Sequence, residues 1–205
     1  MPKIALFDAD GVLTLPEEIF SVVYTRSRGL DYAPFETFFT TEWLDFVTGK
    51  RDLKQHIAEH PEFWQWDGMP DDLIRYWCEV EDVRNQPLVA LIAQLRASGT
   101  RCYLATEQEK YRAEYMQTVM FPGAFDGHFV TAHIGQRKNQ PEFYQHIIDQ
   151  LRADDPHITP ADITFFDDSQ SKIDTARAVG INAQLYKNVA QVEALLGSGG
   201  RTSSR

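Results

Sequence analysis

The chain has 205 residues, 43% of them hydrophobic, which suits one domain of ordinary size carrying an inserted module. Thirty Asp and Glu against 20 Lys and Arg give a formal net charge of −10, which offers no basic surface to nucleic acid or an anionic membrane.

In chain order, the first apolar run is Ile4-Ala5-Leu6-Phe7, a short strand that ends in Asp8-Ala9-Asp10-Gly11. Amphipathic helices are expected from Pro16 to Ser27, Pro34 to Thr48, Leu53 to His60 and Pro70 to Val80, punctuated by Gly, Pro and Asp. All four tryptophans, Trp43, Trp64, Trp66 and Trp77, fall in this stretch and are expected chiefly to build a small helical core, with some facing a cleft. From Gln86 the pattern alternates: helix 88–98, strand 101–105, helix 108–119, strand 128–131, helix 141–151, strand 163–166, helix 171–179 and strand 182–185. That alternation implies an α/β protein with a parallel sheet covered by helices on both faces. Residues 197–205, Gly-Ser-Gly-Gly-Arg-Thr-Ser-Ser-Arg, are almost devoid of apolar side chains and are expected to be a flexible tail.

No run approaches transmembrane length, and Met1-Pro2-Lys3 leads straight into the first strand without a leader pattern. Cys78 and Cys102 lie far apart without metal-ligand spacing. A reduced, cytoplasmic setting is the expectation, and the oligomeric state is left open. The six histidines, at 56, 60, 128, 133, 146 and 157, show no ligand spacing and read as surface or core residues.

Chemistry-bearing residues fall where strands end. Asp8 and Asp10 follow the first strand, Thr106 follows Arg101 to Ala105, and Asp167-Asp168 follow Ile163 to Phe166, while Lys138 precedes a helix opening near Pro141. Ligands of open parallel sheets bind outside the carboxyl ends of the strands. Taken singly, each residue has a plainer reading: an Asp-Gly turn at Asp10, a helix cap at Asp168, a surface lysine at 138, and a capping box in Thr106-Glu107-Gln108-Glu109.

As an ordered set, the segments FDADGVLT, YLAT, RKNQPEFYQHI and ITFFDDSQSKIDTARAVG resemble the four motifs of the haloacid dehalogenase superfamily of hydrolases, from Lys3 to about Leu185. The resemblance implies a Rossmann-like core over residues 1–14 and 86–196 and an inserted α-helical cap over 15–85. It also implies a Mg²⁺-dependent hydrolase of a small phosphorylated metabolite, working through an aspartyl-phosphate. Asp8 would be the nucleophile, Asp10 the general acid and base, and Thr106 and Lys138 the groups that meet the phosphoryl charge. The Mg²⁺ ligands would be Asp8, the main-chain carbonyl of Asp10 and Asp168, with Asp167 supporting or sharing that role. Asp10 argues against a dehalogenase, because a halide leaves without a proton and an alkoxide does not. A sugar phosphomutase of the same superfamily and a non-enzymatic binding protein on the same fold are the alternatives.

Two positions depart from the pattern. Glu107 stands after Thr106, where a neutral Asn is common, and would be costly near phosphate unless it faces away or meets a cation. Lys172 stands where many members have an acid or Asn; it cannot ligate Mg²⁺ but is placed to pair with Asp167 or Glu107.

Overall fold

The structure is a computed structural model that describes residues 4–197. The expected tail therefore lies outside the described residues, apart from Gly197. Among the described residues five strands form one sheet: β1 (Ile4–Phe7), β2 (Arg101–Thr106), β3 (Gly127–Val130), β4 (Ile163–Asp167) and β5 (Asn182–Leu185). Their order is β3-β2-β1-β4-β5, and every neighbouring pair is parallel. This is the α/β parallel sheet expected from the alternation, in the Rossmann-like form that the resemblance implied.

The two-residue period of β1 explains why the sheet is covered twice. Ala5 and Phe7 point into one apolar cluster with Leu88, Ile92 and Leu95 of α7 (Gln86–Ala97) and Val192 and Leu196 of α12 (Val189–Leu196). Ile4 and Leu6 point into the other, with Phe143, Ile147 and Ile148 of α10 (Pro141–Asp154) and Ile173 and Ala176 of α11 (Gln170–Ala178). All four β1 side chains are fully buried.

Between β1 and α7 the chain forms α1 (Phe20–Arg28), α2 (Ala33–Thr40), α3 (Trp43–Val47), α4 (Leu53–Glu59), α5 (Pro61–Trp64) and α6 (Pro70–Val80). These helices surround their own aromatic cluster, including Phe20, Tyr24, Phe35, Phe38 and the fully buried Trp64. Two boundaries differ from expectation. Pro16 to Ile19 stay outside α1, and Ile19 is extended at φ −74°, ψ 155°. The helix expected from 34 to 48 breaks near Thr41, where the hydroxyls of Thr40 and Thr41 donate back to Glu36 O and Thr37 O at 2.8 and 2.6 Å. Such side-chain bonds compete with the helical ladder.

The two chain crossings into and out of this helical insert run side by side. Leu15 N donates to Val83 O and Asn85 N to Leu13 O, both at 2.8 Å, while Asn85 Nδ2 donates to Val12 O at 2.9 Å. Beyond β2 the chain forms α8 (Lys110–Tyr115), which widens into a π-helical turn at Met116–Met120. Asp52 reaches from the insert to Lys110 Nζ at 2.5 Å and Tyr111 OH at 2.8 Å on α8. A short helix, α9 (Thr131–Ile134), follows β3 and was not foreseen; the expected strand 128–131 loses Thr131 to it. No helix among the described residues is long and apolar enough to cross a membrane.

Candidate active site

The parallel register sets the carboxyl ends of β1, β2 and β4 level: Phe7 pairs with Leu104 on one side and Phe166 on the other. Asp8 extends this line, its N–H donating to Phe166 O at 2.9 Å. The chain then folds back tightly, with the N–H groups of Val12, Leu13 and Thr14 all directed at Ala9 O. Gly11 makes the turn at φ +76°, and a Cβ there would collide with the Asp168 carboxylate. Glycine is thus needed at 11 both for its left-handed backbone and for the approach of the β4 end.

Lys138 is completely buried and spends its ammonium group on three oxygens: Asp8 Oδ1 at 2.7 Å, Asp167 Oδ2 at 2.5 Å and Ala105 O at 2.9 Å. Asp8 Oδ1 also accepts from Ala9 N at 2.8 Å, and Lys172 Nζ lies 3.7 Å from Asp8 Oδ2. Burial pushes the Asp8 carboxyl up to about 7 against the pull of Lys138. Burial acts upward on Asp167 too, but Lys138 and Lys172 together hold it below the usual carboxylate range. Lys172, whose burial alone would lower its pKa, is raised by Asp8, Asp167, Glu107 and Asp168. The expected partners of Lys172 were Asp167 or Glu107; its ion pair is with Asp8, and the other acids act on it at longer range.

Asp10 is held by a different set of side chains. Arg112 Nη2 and Nη1 donate to its two oxygens at 2.8 and 2.9 Å, Thr14 Oγ1 donates to it at 2.9 Å, and Gln108 Nε2 donates as well. Desolvation raises the Asp10 pKa, but Arg112 more than offsets it and leaves the carboxyl below its ordinary value. Arg112 is buried and also meets Glu81 Oε2 of the insert at 2.9 Å; Glu81 in turn accepts from Phe20 N at 2.7 Å.

Thr106 is buried, and its hydroxyl has no hydrogen-bond partner among the described residues. The capping-box reading is therefore corrected. Glu109 caps α8 instead, accepting from Tyr111 N at 2.9 Å and from Arg112 N. The helix begins three residues later than the box required, and Gln108 N is occupied by Thr131 Oγ1 at 3.1 Å. Glu107 meets a cation: Arg137 Nη2 donates to its Oε1 at 2.9 Å, and its Oε2 takes the Lys138 N–H at 2.9 Å, tying down the backbone that carries the buried lysine.

Asp8, Asp167 and Asp168 each present a carboxylate oxygen, and these oxygens lie within 4.8 Å of one another. Burial, then the neighbouring Asp167, raises the Asp168 pKa. Three carboxylates face only two ammonium groups, so the cluster carries surplus negative charge. Hard oxygen donors with a charge to neutralise fit Mg²⁺. Among the described residues no histidine joins this group, and His56 lies in the aromatic core of the insert, stacked on Phe38 at 5.2 Å.

Arg112, Gln108 and Glu81 were not foreseen as site residues. Arg112 lies 102 positions from Asp10, and nothing in its local sequence separates it from a surface arginine. Only the docking of α8 between the β1 turn and the insert gives it both partners.

The profile of the haloacid dehalogenase-like hydrolases matches residues 2–180, and the chain belongs to that hydrolase family. It is 27% identical over 188 residues to the sesquiterpene phosphatase astK of Aspergillus oryzae, covering 87% of each chain. Its fold is similar to that of a HAD family enzyme of Bacteroides thetaiotaomicron solved with magnesium and inorganic phosphate, with a TM-score of 0.75 and 17% identity, covering 94% of this chain and 99% of that one. A HAD-like family hydrolase of Porphyromonas gingivalis is similar with a TM-score of 0.76 and 18% identity, covering 96% and 98%.

Proposed function

We propose that the chain is a Mg²⁺-dependent phosphatase of small phosphate monoesters that works through an aspartyl-phosphate on Asp8, with the helices between residues 15 and 85 serving as its cap. The observation that carries this reading is the Asp8, Asp167 and Asp168 cluster, with two lysines placed against it at the ends of β1 and β4. The phosphatase relative and the magnesium- and phosphate-bound structure support it.

Mg²⁺ held by Asp8, Asp167 and Asp168 would neutralise phosphoryl charge and so let a carboxylate approach a phosphate ester. Lys138 fixes Asp8 through Oδ1 and leaves Oδ2 as the freer oxygen for attack on phosphorus. As the Asp8 oxygen bonds to phosphorus, the bond to the leaving oxygen breaks, and Asp10 supplies the proton that makes it an alcohol. Asp10 then takes a proton from the water that attacks the same phosphorus, releasing inorganic phosphate and restoring Asp8. Arg112 favours the ionised Asp10 needed for this second step and opposes the protonated form needed for the first. Thr106, with its unused hydroxyl, donates to a phosphoryl oxygen, and Lys138 and Lys172 balance the charge of the group in transfer.

Turnover of an aryl phosphate tests the reading. Activity should vanish in chelator, return with Mg²⁺ and fail to return with Ca²⁺, whose larger and looser coordination misplaces the attacking carboxylate. Undiminished turnover in chelator would overturn it.

A further inference from the structure

Beside Asp10 and Gly11 a cavity of about 530 Å³ opens toward the insert, a volume in the range of small-molecule sites. Leu15, Pro16, Ile19, Phe39, Trp43 and Trp77 give it a large apolar wall, and Thr14, Ser21 and Gln108 line it beside the charged residues. Phe39, Trp43 and Trp77 pack against one another, with ring centroids 5.1 to 5.4 Å apart. Trp43 and Trp77 thus do more than fill the core of the insert. Leu15 and Ile19 are 46% and 53% exposed, so two large aliphatic side chains at the cavity face solvent unless something covers them.

Charge narrows the occupant. The cavity is lined by three carboxylates, Asp10, Glu81 and Glu107, and by one cation, Arg112. Arg112 is already held by Asp10 and Glu81, and Glu107 by Arg137. A second phosphate or a carboxylate on the substrate would meet a net negative wall without a free cation among the described residues that line it. Hydroxyl groups set against the Trp, Phe and Ile part of the wall would lose water without gaining partners, and the polar lining groups Thr14 and Gln108 are already bound to Asp10.

We infer that this cavity receives the alcohol part of the substrate and selects phosphate monoesters of uncharged, hydrocarbon-rich alcohols over sugar phosphates and phosphorylated acids. The inference rests on the phosphatase reading and names the substrate class of the same site.

The test is a comparison of kcat/KM at saturating Mg²⁺ for ethyl, butyl and hexyl phosphate, a hexose phosphate and phosphoglycolate, with p-nitrophenyl phosphate as an independent report on the reacting centre. The alkyl esters share one leaving-group chemistry, so chain length isolates binding in the cavity. At about 0.8 kcal/mol per buried methylene, hexyl phosphate should exceed ethyl phosphate by on the order of a hundredfold. It should also exceed the hexose phosphate and phosphoglycolate. Ile19→Asp and Leu15→Asp, at positions half exposed already, should each reduce the hexyl-to-ethyl ratio at least tenfold. With p-nitrophenyl phosphate turned over, a flat chain-length series, a preference for the sugar or acid ester, or an unchanged ratio in both variants would overturn the inference alone. Failure to turn over any ester, p-nitrophenyl phosphate included, would overturn the phosphatase reading and the inference with it.

Discussion

Arg112 binds Asp10 through both carboxylate oxygens, at 2.8 and 2.9 Å, while the same guanidinium holds Glu81 of the insert. One buried cation therefore connects the acid nearest the proposed proton transfers with the helical layer that would cover the substrate. Removing it should leave Glu81 buried without a counter-charge. Breaking such a pair from one side costs about 3–5 kcal/mol. Arg112→Gln should accordingly lower the urea midpoint steeply, and adding Glu81→Gln should recover part of the loss, with a coupling of about 1–3 kcal/mol. Strictly additive losses would show that the two residues do not act as a pair.

Thr106 offers a cleaner separation of fold from function. Its hydroxyl is buried with no partner among the described residues, so valine should fit the same space without breaking a hydrogen bond. Thr106→Val is expected to keep or slightly raise the melting temperature while reducing kcat/KM on an aryl phosphate by about 100- to 1000-fold, the range for losing one donor to transition-state charge. A loss of stability with activity intact would assign the hydroxyl to the fold.

The strands and the positions at their ends were legible because parallel buried strands leave short apolar runs that stop abruptly at polar residues. Asp8, Thr106 and Asp168 could be nominated that way, whereas Lys138 came only with the family resemblance; the structure has Asp8, Asp168 and Lys138 together at the carboxyl ends of the central strands, with Thr106 at the end of β2. Helix ends were read less well. The break near Thr41 depends on hydroxyls that donate back to carbonyl oxygens, and the late start of α8 on which side chain captures a free N–H; the capping box drawn at Thr106 gave no sign that Glu109 would be the cap. Arg112 and Glu81 were illegible for a different reason. Each acquires its role from a contact between segments distant in the chain, and no local pattern records it.

His56 should make the insert sensitive to acid. Burial, the neighbouring His60 and Arg51 depress its pKa to about 4 from an ordinary value near 6.5, so the fold favours the neutral ring. A depressed folded-state pKa contributes stability that is present above the unfolded value and is lost as pH falls from about 6.5 toward 4. The melting temperature of the wild type should therefore fall by several degrees between about pH 7 and pH 5 relative to His56→Phe, which keeps a ring against Phe38 but cannot titrate. Parallel melting curves for the two proteins across that range would show that His56 does not carry the effect.

The central claim, that Asp8 attacks phosphorus and Asp10 moves protons, is tested most directly by trapping the intermediate. Rapid quenching with a labelled aryl phosphate, followed by hydroxylamine, identifies an acyl phosphate by its lability. The wild type should give a transient hydroxylamine-labile adduct. Asp10→Asn should still form it with this readily departing leaving group and should hydrolyse it at least tenfold more slowly. Asp8→Asn should give none, because an amide oxygen is a far weaker nucleophile. A labelled adduct that persists in Asp8→Asn would contradict the account, whatever the steady-state rates.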